Sequence, residues 1–162
     1  MVLANVLMDL GPESDTVIDA IETIRALLTS PRLLIPPTPQ HELAHIACHA
    51  DTAEERTPGL GGHQRRATVA HRSHQPDTGL GHGIVERVGE RLRRAGLLPA
   101  EETNDSFLVA ETASLDGRLL LSSDEHLRGL DHRQLGLVLQ ESDLSAPVIA
   151  TPGEVVKKFF QR

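Results

Sequence analysis

The chain has 162 residues, which is long enough for a single domain with a hydrophobic core. The net charge of -7 argues against nucleic-acid affinity over the whole surface, and the 2% aromatic content leaves almost no platforms for stacked bases. The single cysteine cannot form an internal disulfide, which favours a cytoplasmic location, and no apolar run is long enough for a membrane span.

The first fifty residues predict strands that alternate with helices. The opening run "VLANVLM" is typical of a strand, and apolar residues at helical spacing after Ser14 predict a helix that ends near Leu28. "RLLIPP" is a short candidate strand that two prolines stop. Thr38 and Pro39 then predict a second helix, because threonine caps a helix and proline fits its first turn.

Residues 51–80 differ from their surroundings. This segment is polar, rich in glycine and proline and poor in Leu, Ile and Val. A long stretch of this kind is unusual inside a compact domain. We interpret it as either a mobile functional loop or a region whose sequence has degenerated, and we expect it to contribute little to the core.

The second half again predicts alternating elements. "GIVERVGERLRRAGLL" has an amphipathic helical pattern, and "NDSFLVAETASLDG" predicts a helix that is capped near Asn104 or Asp105 and ends at Gly117. "RLLLSSD" is the clearest strand, and "APVIATP" and "GEVVKKFFQR" predict a last strand and a terminal helix. This alternation favours an α/β fold in which "RLLLSS" is central to a mostly parallel sheet.

Three acidic residues follow a strand or begin a helix in this pattern. Glu42 lies one turn into the helix after "RLLIPP", Asp105 starts the helix before "RLLLSS", and Asp124 ends that strand. In a parallel α/β sheet these positions meet at one edge, where a divalent cation relieves the repulsion between carboxylates. Taken singly, Asp105 and Asp124 are equally well interpreted as helix caps, and Glu42 as a solvated helix residue.

The segment "NDSFLVAETASLDGRLLLSSDEHL" resembles the second half of a PIN domain, with Asp105, Ser122 and Asp124 at matching positions. "PPTPQHELAHIA" is similar to the segment that carries the family's glutamate, here Glu42, and "ANVLMDL" resembles the opening segment through Asn5. The resemblance implies a single PIN-like domain over residues 1–162, a three-layer α/β/α sandwich around a central, mostly parallel sheet.

The resemblance also implies a function, that of an endoribonuclease dependent on Mg²⁺ or Mn²⁺. Glu42, Asp105 and Asp124 would be the catalytic and metal-binding residues, and Asn5 and Ser122 would contact the substrate or support the site from behind. The substrate would be RNA. Because many small PIN domains are toxins of toxin–antitoxin pairs, an antitoxin protein and a second copy of the chain are the expected partners.

One position departs from the family pattern. The first acid of the family is expected two residues before Asn5, where this sequence has Leu3. This departure leaves open a second hypothesis, in which the protein is PIN-like but catalytically inactive and acts through protein partners.

"HELAH" supports a third hypothesis, a zinc hydrolase with His41 and His45 as ligands and Glu42 as the base. Nine histidines in the chain make such a pair expected by chance. His49 lies on the same helical face, but three ligands on one straight helix cannot surround a single tetrahedral ion. The sequence therefore favours Glu42 as a PIN-type acid over Glu42 as a zinc-hydrolase base.

Overall fold

The structure is a computed structural model that describes residues 2–3, 15–28, 34–49 and 80–160. Within these ranges it contains three short strands and seven helices. The elements are β1 (Val2–Leu3), α1 (Asp15–Leu27), α2 (Pro37–His49), α3 (Leu80–Arg94), α4 (Thr103–Ser114), β2 (Leu119–Leu121), α5 (Glu125–Arg128), α6 (His132–Gln140), β3 (Val148–Ala150) and α7 (Pro152–Phe159).

The three strands form a small parallel sheet in the order β1-β2-β3. Leu3 of β1 lies opposite Leu121, and Ala150 of β3 lies opposite the same residue from the other side. The strand predicted from "RLLLSS" is therefore the middle strand of this sheet, as expected.

The predicted fold class, a three-layer α/β/α sandwich around a central sheet, is wrong. Helices take up 65% of the described residues, and the strands have only two or three residues each. Proline limits β3 on both sides, because Pro147 and Pro152 have no backbone N–H to extend a ladder. The predicted strand "RLLIPP" is also absent from residues 34–36, where Leu34 makes only an isolated bridge.

The core on one side of the sheet is formed by α1 and α7. Ile21 and Ile24 of α1 pack with Ile35, with Leu121 of β2 and with Val155 of α7. This arrangement follows from the spacing of isoleucines three residues apart in α1, which places them on one helical face. The helix predicted after Ser14 and the predicted terminal helix are therefore both confirmed, as α1 and α7.

The larger core lies on the other side and joins α3, α4 and α6 to β2. Val88 and Leu92 of α3 pack against α4, and Leu120 of β2 lies in the same cluster. Gly89 allows the close approach of α3 and α4, because a Cβ atom there would lie 2.8 Å from Cδ1 of Phe107. The packing of α3 against α4 supports the N-terminal turn of α4.

Several predicted helix ends differ by one or two residues from those observed. Helix α2 begins at Pro37 rather than at Pro39, and α4 begins after Glu102, which makes no side-chain cap. Gly117 follows the end of α4, and its N–H donates to the carbonyl of Thr112. The polar segment at 51–80 lies outside the described residues up to its last member, Leu80, which starts α3.

None of the helices in the described ranges has the length and apolar character needed to cross a membrane.

Candidate carboxylate site

Asp124 stands at the point where the chain leaves β2 and enters α5. Its Oδ1 atom accepts hydrogen bonds from the N–H groups of His126, at 2.7 Å, and Leu127, at 3.3 Å. The backbone N–H of Asp124 donates to the Oγ atom of Ser122, at 3.1 Å. The cap interpretation of Asp124 is therefore confirmed, and Oδ2 takes no part in the cap.

Asp105 lies in the first turn of α4 and is half-buried. Burial raises its pKa to about 6, and the nearby charges of Asp124, Glu102 and Glu42 add to the rise. Of the described groups, only His126 acts in the opposite direction, and none donates a hydrogen bond to this carboxyl group. The negative charges of Glu42 on α2 and of Asp124 after β2 therefore both repel the carboxyl group of Asp105 on α4.

Glu42 faces α4 from the neighbouring helix α2. Its Oε1 atom accepts a hydrogen bond of 2.8 Å from Nδ2 of Asn104, the residue before Asp105. Burial raises the pKa of Glu42, and the bond from Asn104 partly offsets this rise because it stabilises the charged form. The contact places the Glu42 carboxylate beside the first turn of α4.

A second polar contact fixes α2 against α4. The carboxylate of Glu111, which is only 8% exposed, accepts two hydrogen bonds from Thr38 at the start of α2. The backbone N–H of Thr38 donates to Oε2 at 3.1 Å, and its hydroxyl donates to Oε1 at 2.9 Å. Together with the bond between Asn104 and Glu42, this pair sets the register of the two helices.

A hard divalent cation suits this donor set, since Mg²⁺ binds carboxylate oxygens and keeps several water ligands. Within the part of the chain that the structure describes, no three His, Cys, Asp or Glu side chains are grouped closely enough to hold a metal ion. One or two protein carboxylates together with a substrate phosphate are nevertheless a common set of ligands for Mg²⁺. Asp105 and Oδ2 of Asp124 are the donors that fit this role.

The remaining predicted residues have different outcomes. Ser122 is fully buried, and its Oγ atom accepts the N–H of Asp124. It therefore supports the backbone of Asp124 from inside the protein. Asn5 lies outside the described residues. Leu3, which stands where an acid was expected, pairs with Leu121 one residue before Ser122.

Three residues near the carboxylates were missed from the sequence. The charge of Glu102 helps to raise the pKa of Asp105. The Nδ1 atom of His126 lies 3.9 Å from the Oε1 atom of Glu102. From the sequence, Asn104 is interpreted only as a helix cap. The spacing of Glu102, three residues before Asp105, is a signal that these two side chains lie near each other, but a two-residue spacing gives no such signal for His126.

The histidines of "HELAH" do not share the environment of Glu42. His41, His45 and His49 are exposed, and the rings of His45 and His49 stack with their centroids 4.6 Å apart. Nδ1 of His49 lies 3.2 Å from the carbonyl oxygen of His45. The structure therefore separates Glu42, which bonds to α4, from the histidines on the outer face of α2.

Comparison of the chain with known protein families, with curated proteins and with solved structures gave no match.

Proposed function

We propose that the protein is an endoribonuclease that uses Mg²⁺ or Mn²⁺ bound by Asp105 and Asp124, with Glu42 completing the acidic site. The observation that supports this proposal is the electrostatic effect of Glu42 and Asp124 on the half-buried Asp105, which links carboxyl groups of three separate elements near the end of β2. Carboxylates that repel one another in a half-buried place destabilise the fold unless a cation lies between them or one of them is protonated, and groups perturbed in this way cluster at functional sites.

Each residue has a distinct part in the proposed reaction. Asp124 would hold the ion through Oδ2 while Oδ1 remains in the cap of α5. Asp105 would be the second carboxylate ligand, and Glu42, whose pKa is raised by burial, would accept a proton from water. When bound, the ion polarises the scissile phosphate and lowers the pKa of coordinated water.

Ser122 and Asn104 act on the carboxylates instead of on the substrate. Ser122 has no exposed surface, so it holds the backbone of Asp124 rather than contacting RNA. Asn104 orients Glu42 through its 2.8 Å hydrogen bond. The wider proposal, that the chain is a cytoplasmic toxin with an antitoxin partner and forms a homodimer, rests on the resemblance of residues 103–128 to PIN domains.

The proposal is tested by cleavage of single-stranded RNA by the purified protein in the presence of Mg²⁺, Mn²⁺ or EDTA. We expect cleavage with either ion, none with EDTA, and a loss on the order of 100-fold in Asp105→Asn, because the amide removes the charge that attracts the ion. Equal cleavage with EDTA, or an Asp105→Asn variant as active as the wild type, would falsify the proposed site.

The inactive alternative is favoured by one observation, namely Leu3 at the position of the family's first acid. It predicts that Mn²⁺ binds without cleavage. Titration of the protein with Mn²⁺, followed by electron paramagnetic resonance, separates the two hypotheses: bound Mn²⁺ with no cleavage product supports the inactive protein, and bound Mn²⁺ with cleavage supports the nuclease.

A further inference from the structure

A groove lies at the edge of the sheet opposite β1, and Glu42, Asp105 and Asp124 are not among the residues that line it. We call it the β3 groove; its walls come from α5 and α7, and β3 lines it between them. Its volume is about 670 Å³, which lies within the range of roughly 300–1,000 Å³ typical of ligand-binding clefts. The groove is therefore large enough for a short segment of polypeptide.

The strand in this groove has an open hydrogen-bonding edge. The N–H of Val148 donates to Arg118 at 2.9 Å, and the carbonyl of Ala150 accepts from Ser122 at 3.1 Å, so both residues bond to β2. Backbone groups alternate in direction along a strand, and the N–H and C=O of Ile149 therefore point away from β2. Among the described residues, no strand pairs with this edge.

Apolar side chains border the open edge. Val148 is 42% exposed and Phe159 is 58% exposed, although both are large hydrophobic residues. Exposed apolar surface next to an unpaired strand edge is the combination by which proteins accept an added strand from a partner.

The charges in the groove favour an acidic occupant. Arg128, Lys157 and Lys158 contribute three positive charges to its lining, against two from Glu125 and Glu154. Among the described residues, the buried Nε atom of Arg128 has no hydrogen-bond partner, and its Nη1 atom lies 3.6 Å from Oε1 of Glu154. This distance is longer than a hydrogen bond, so Glu154 satisfies Arg128 only in part.

We propose that the β3 groove binds an extended, acidic segment of a partner protein, which adds to β3 as a further strand. The backbone of this segment bonds to Ile149, its apolar side chains cover Val148 and Phe159, and its carboxylates approach Arg128 and the two lysines. RNA is a poorer fit, because beside its positive charges the groove offers apolar side chains and the backbone N–H and C=O of a strand edge that no described strand pairs with.

The probe is a blocked peptide of about six residues in which valine alternates with glutamate, a length that spans β3 and its flanks. The control peptide replaces each glutamate with lysine. We expect the acidic peptide to bind with a Kd of about 1 mM or tighter, and the basic peptide to bind at least about tenfold more weakly, because the lining repels it. Titrations followed by nuclear magnetic resonance measure both constants.

Hydrogen exchange locates the bound peptide on the strand edge. The amide of Ile149 gains protection when the acidic peptide binds, since the peptide accepts its hydrogen bond. The amide of Val148 is the internal control, because it already bonds to Arg118 and its protection stays unchanged.

Two exposed residues of the groove provide variants that leave the fold intact. Lys157→Gln is expected to weaken binding by about threefold, and Glu125→Gln to strengthen it by a similar factor, since each removes one charge of opposite sign. Arg128→Gln is expected to weaken it more, by about tenfold, through loss of a partly buried charge.

Four results would overturn the proposal. They are equal binding of the acidic and basic peptides, unchanged exchange at Ile149, displacement of the peptide by a single-stranded RNA oligonucleotide, and protection of Ile149 that grows with protein concentration alone. The last two results would assign the groove to RNA and to a second copy of the chain, respectively.

Discussion

Two aspartates cap neighbouring short helices with the same geometry, yet they lie in different electrostatic environments. Oδ1 of Asp124 accepts from the N–H groups two and three residues further on, at 2.7 and 3.3 Å. Oδ1 of Asp131 does the same at the start of α6, at 2.8 and 2.9 Å. Asp124 raises the pKa of Asp105, whereas Asp131 is not among the carboxyl groups that affect it.

The comparison separates the local role of an aspartate as a helix cap from its repulsion with carboxyl groups of other elements in the tertiary structure. Capping depends on four consecutive residues and uses the same two N–H positions at both helices. The repulsion at Asp124 depends on α4 and α2, which bring Asp105 and Glu42 to the end of β2. A function that belongs to the cap alone would be shared by Asp131, and a function that belongs to the acidic cluster would not.

The largest expected effect is on catalysis. Asparagine caps a helix about as well as aspartate, so Asp124→Asn and Asp131→Asn both keep their helices and remove one charge each. We expect RNA cleavage to fall on the order of 100-fold in Asp124→Asn and by less than about twofold in Asp131→Asn. Initial rates with Mg²⁺, measured beside thermal unfolding of both variants, provide the comparison.

An equal loss of activity in the two variants would show that cleavage depends on surface charge or on the stability of helices α5 and α6. No loss in either variant would remove Asp124 from the proposed site. Only a difference between two variants with the same melting temperature supports a metal-binding role for Asp124.

The sequence predicted much of the candidate site, because the relevant signals are local. Asp105 is predicted near a helix start and lies in the first turn of α4, whereas Asp124, predicted to end the strand, lies three residues beyond Leu121, the last residue of β2. The contact of Glu42 with Asn104 joins residues 62 positions apart, so no short-range pattern contains it. For the same reason, the sequence does not reveal the contact between Glu102 and His126, which lie in different parts of the fold.

The size of the sheet could not be predicted from the apolar runs alone. A run such as "RLLIPP" is compatible with a strand, but strand length depends on a pairing partner and on the prolines that end it. Residues 34–36 are instead packed into the core without a ladder, with Ile35 buried against α1 and α7. The terminal helix α7 was predictable because Thr151, Pro152 and Glu154 form a complete capping signal.

The second expected effect is the contribution of Asp105 to the pH dependence of stability. Its folded-state pKa of about 6 lies above the ordinary value of 3.8, so the folded state holds the proton more tightly than the unfolded state. Stability is therefore lost as the pH rises from about 4 to about 6, and it is not regained above that range. After allowance for solvent screening of a half-buried group, the loss is about 1 kcal/mol.

Asp105→Asn removes this titration. We expect the free energy of unfolding of the variant, relative to the wild type, to rise by about 1 kcal/mol between about pH 4 and pH 7. Urea denaturation at several pH values measures the difference, and Asp131→Asn is measured beside it as the control for the loss of one capping carboxylate. Added Mg²⁺ at neutral pH should reduce the difference, because a bound cation offsets the same repulsion. A constant difference across the pH range would mean that Asp105 does not titrate in the cluster.

The smallest expected effect compares the two caps when they are removed entirely. Asp131→Ala should cost about 1 kcal/mol, the usual value for loss of an aspartate cap. Asp124→Ala loses the same two hydrogen bonds but also relieves the repulsion with Asp105, so we expect it to cost about 0.5 kcal/mol less at neutral pH. The gap should close near about pH 5, where Asp105 is mostly protonated and the repulsion is absent. Equal costs at neutral pH would show that the repulsion at Asp105 comes from Glu102 and Glu42 rather than from Asp124. A larger cost at Asp124 would show that its cap also supports the contact of α5 with the sheet.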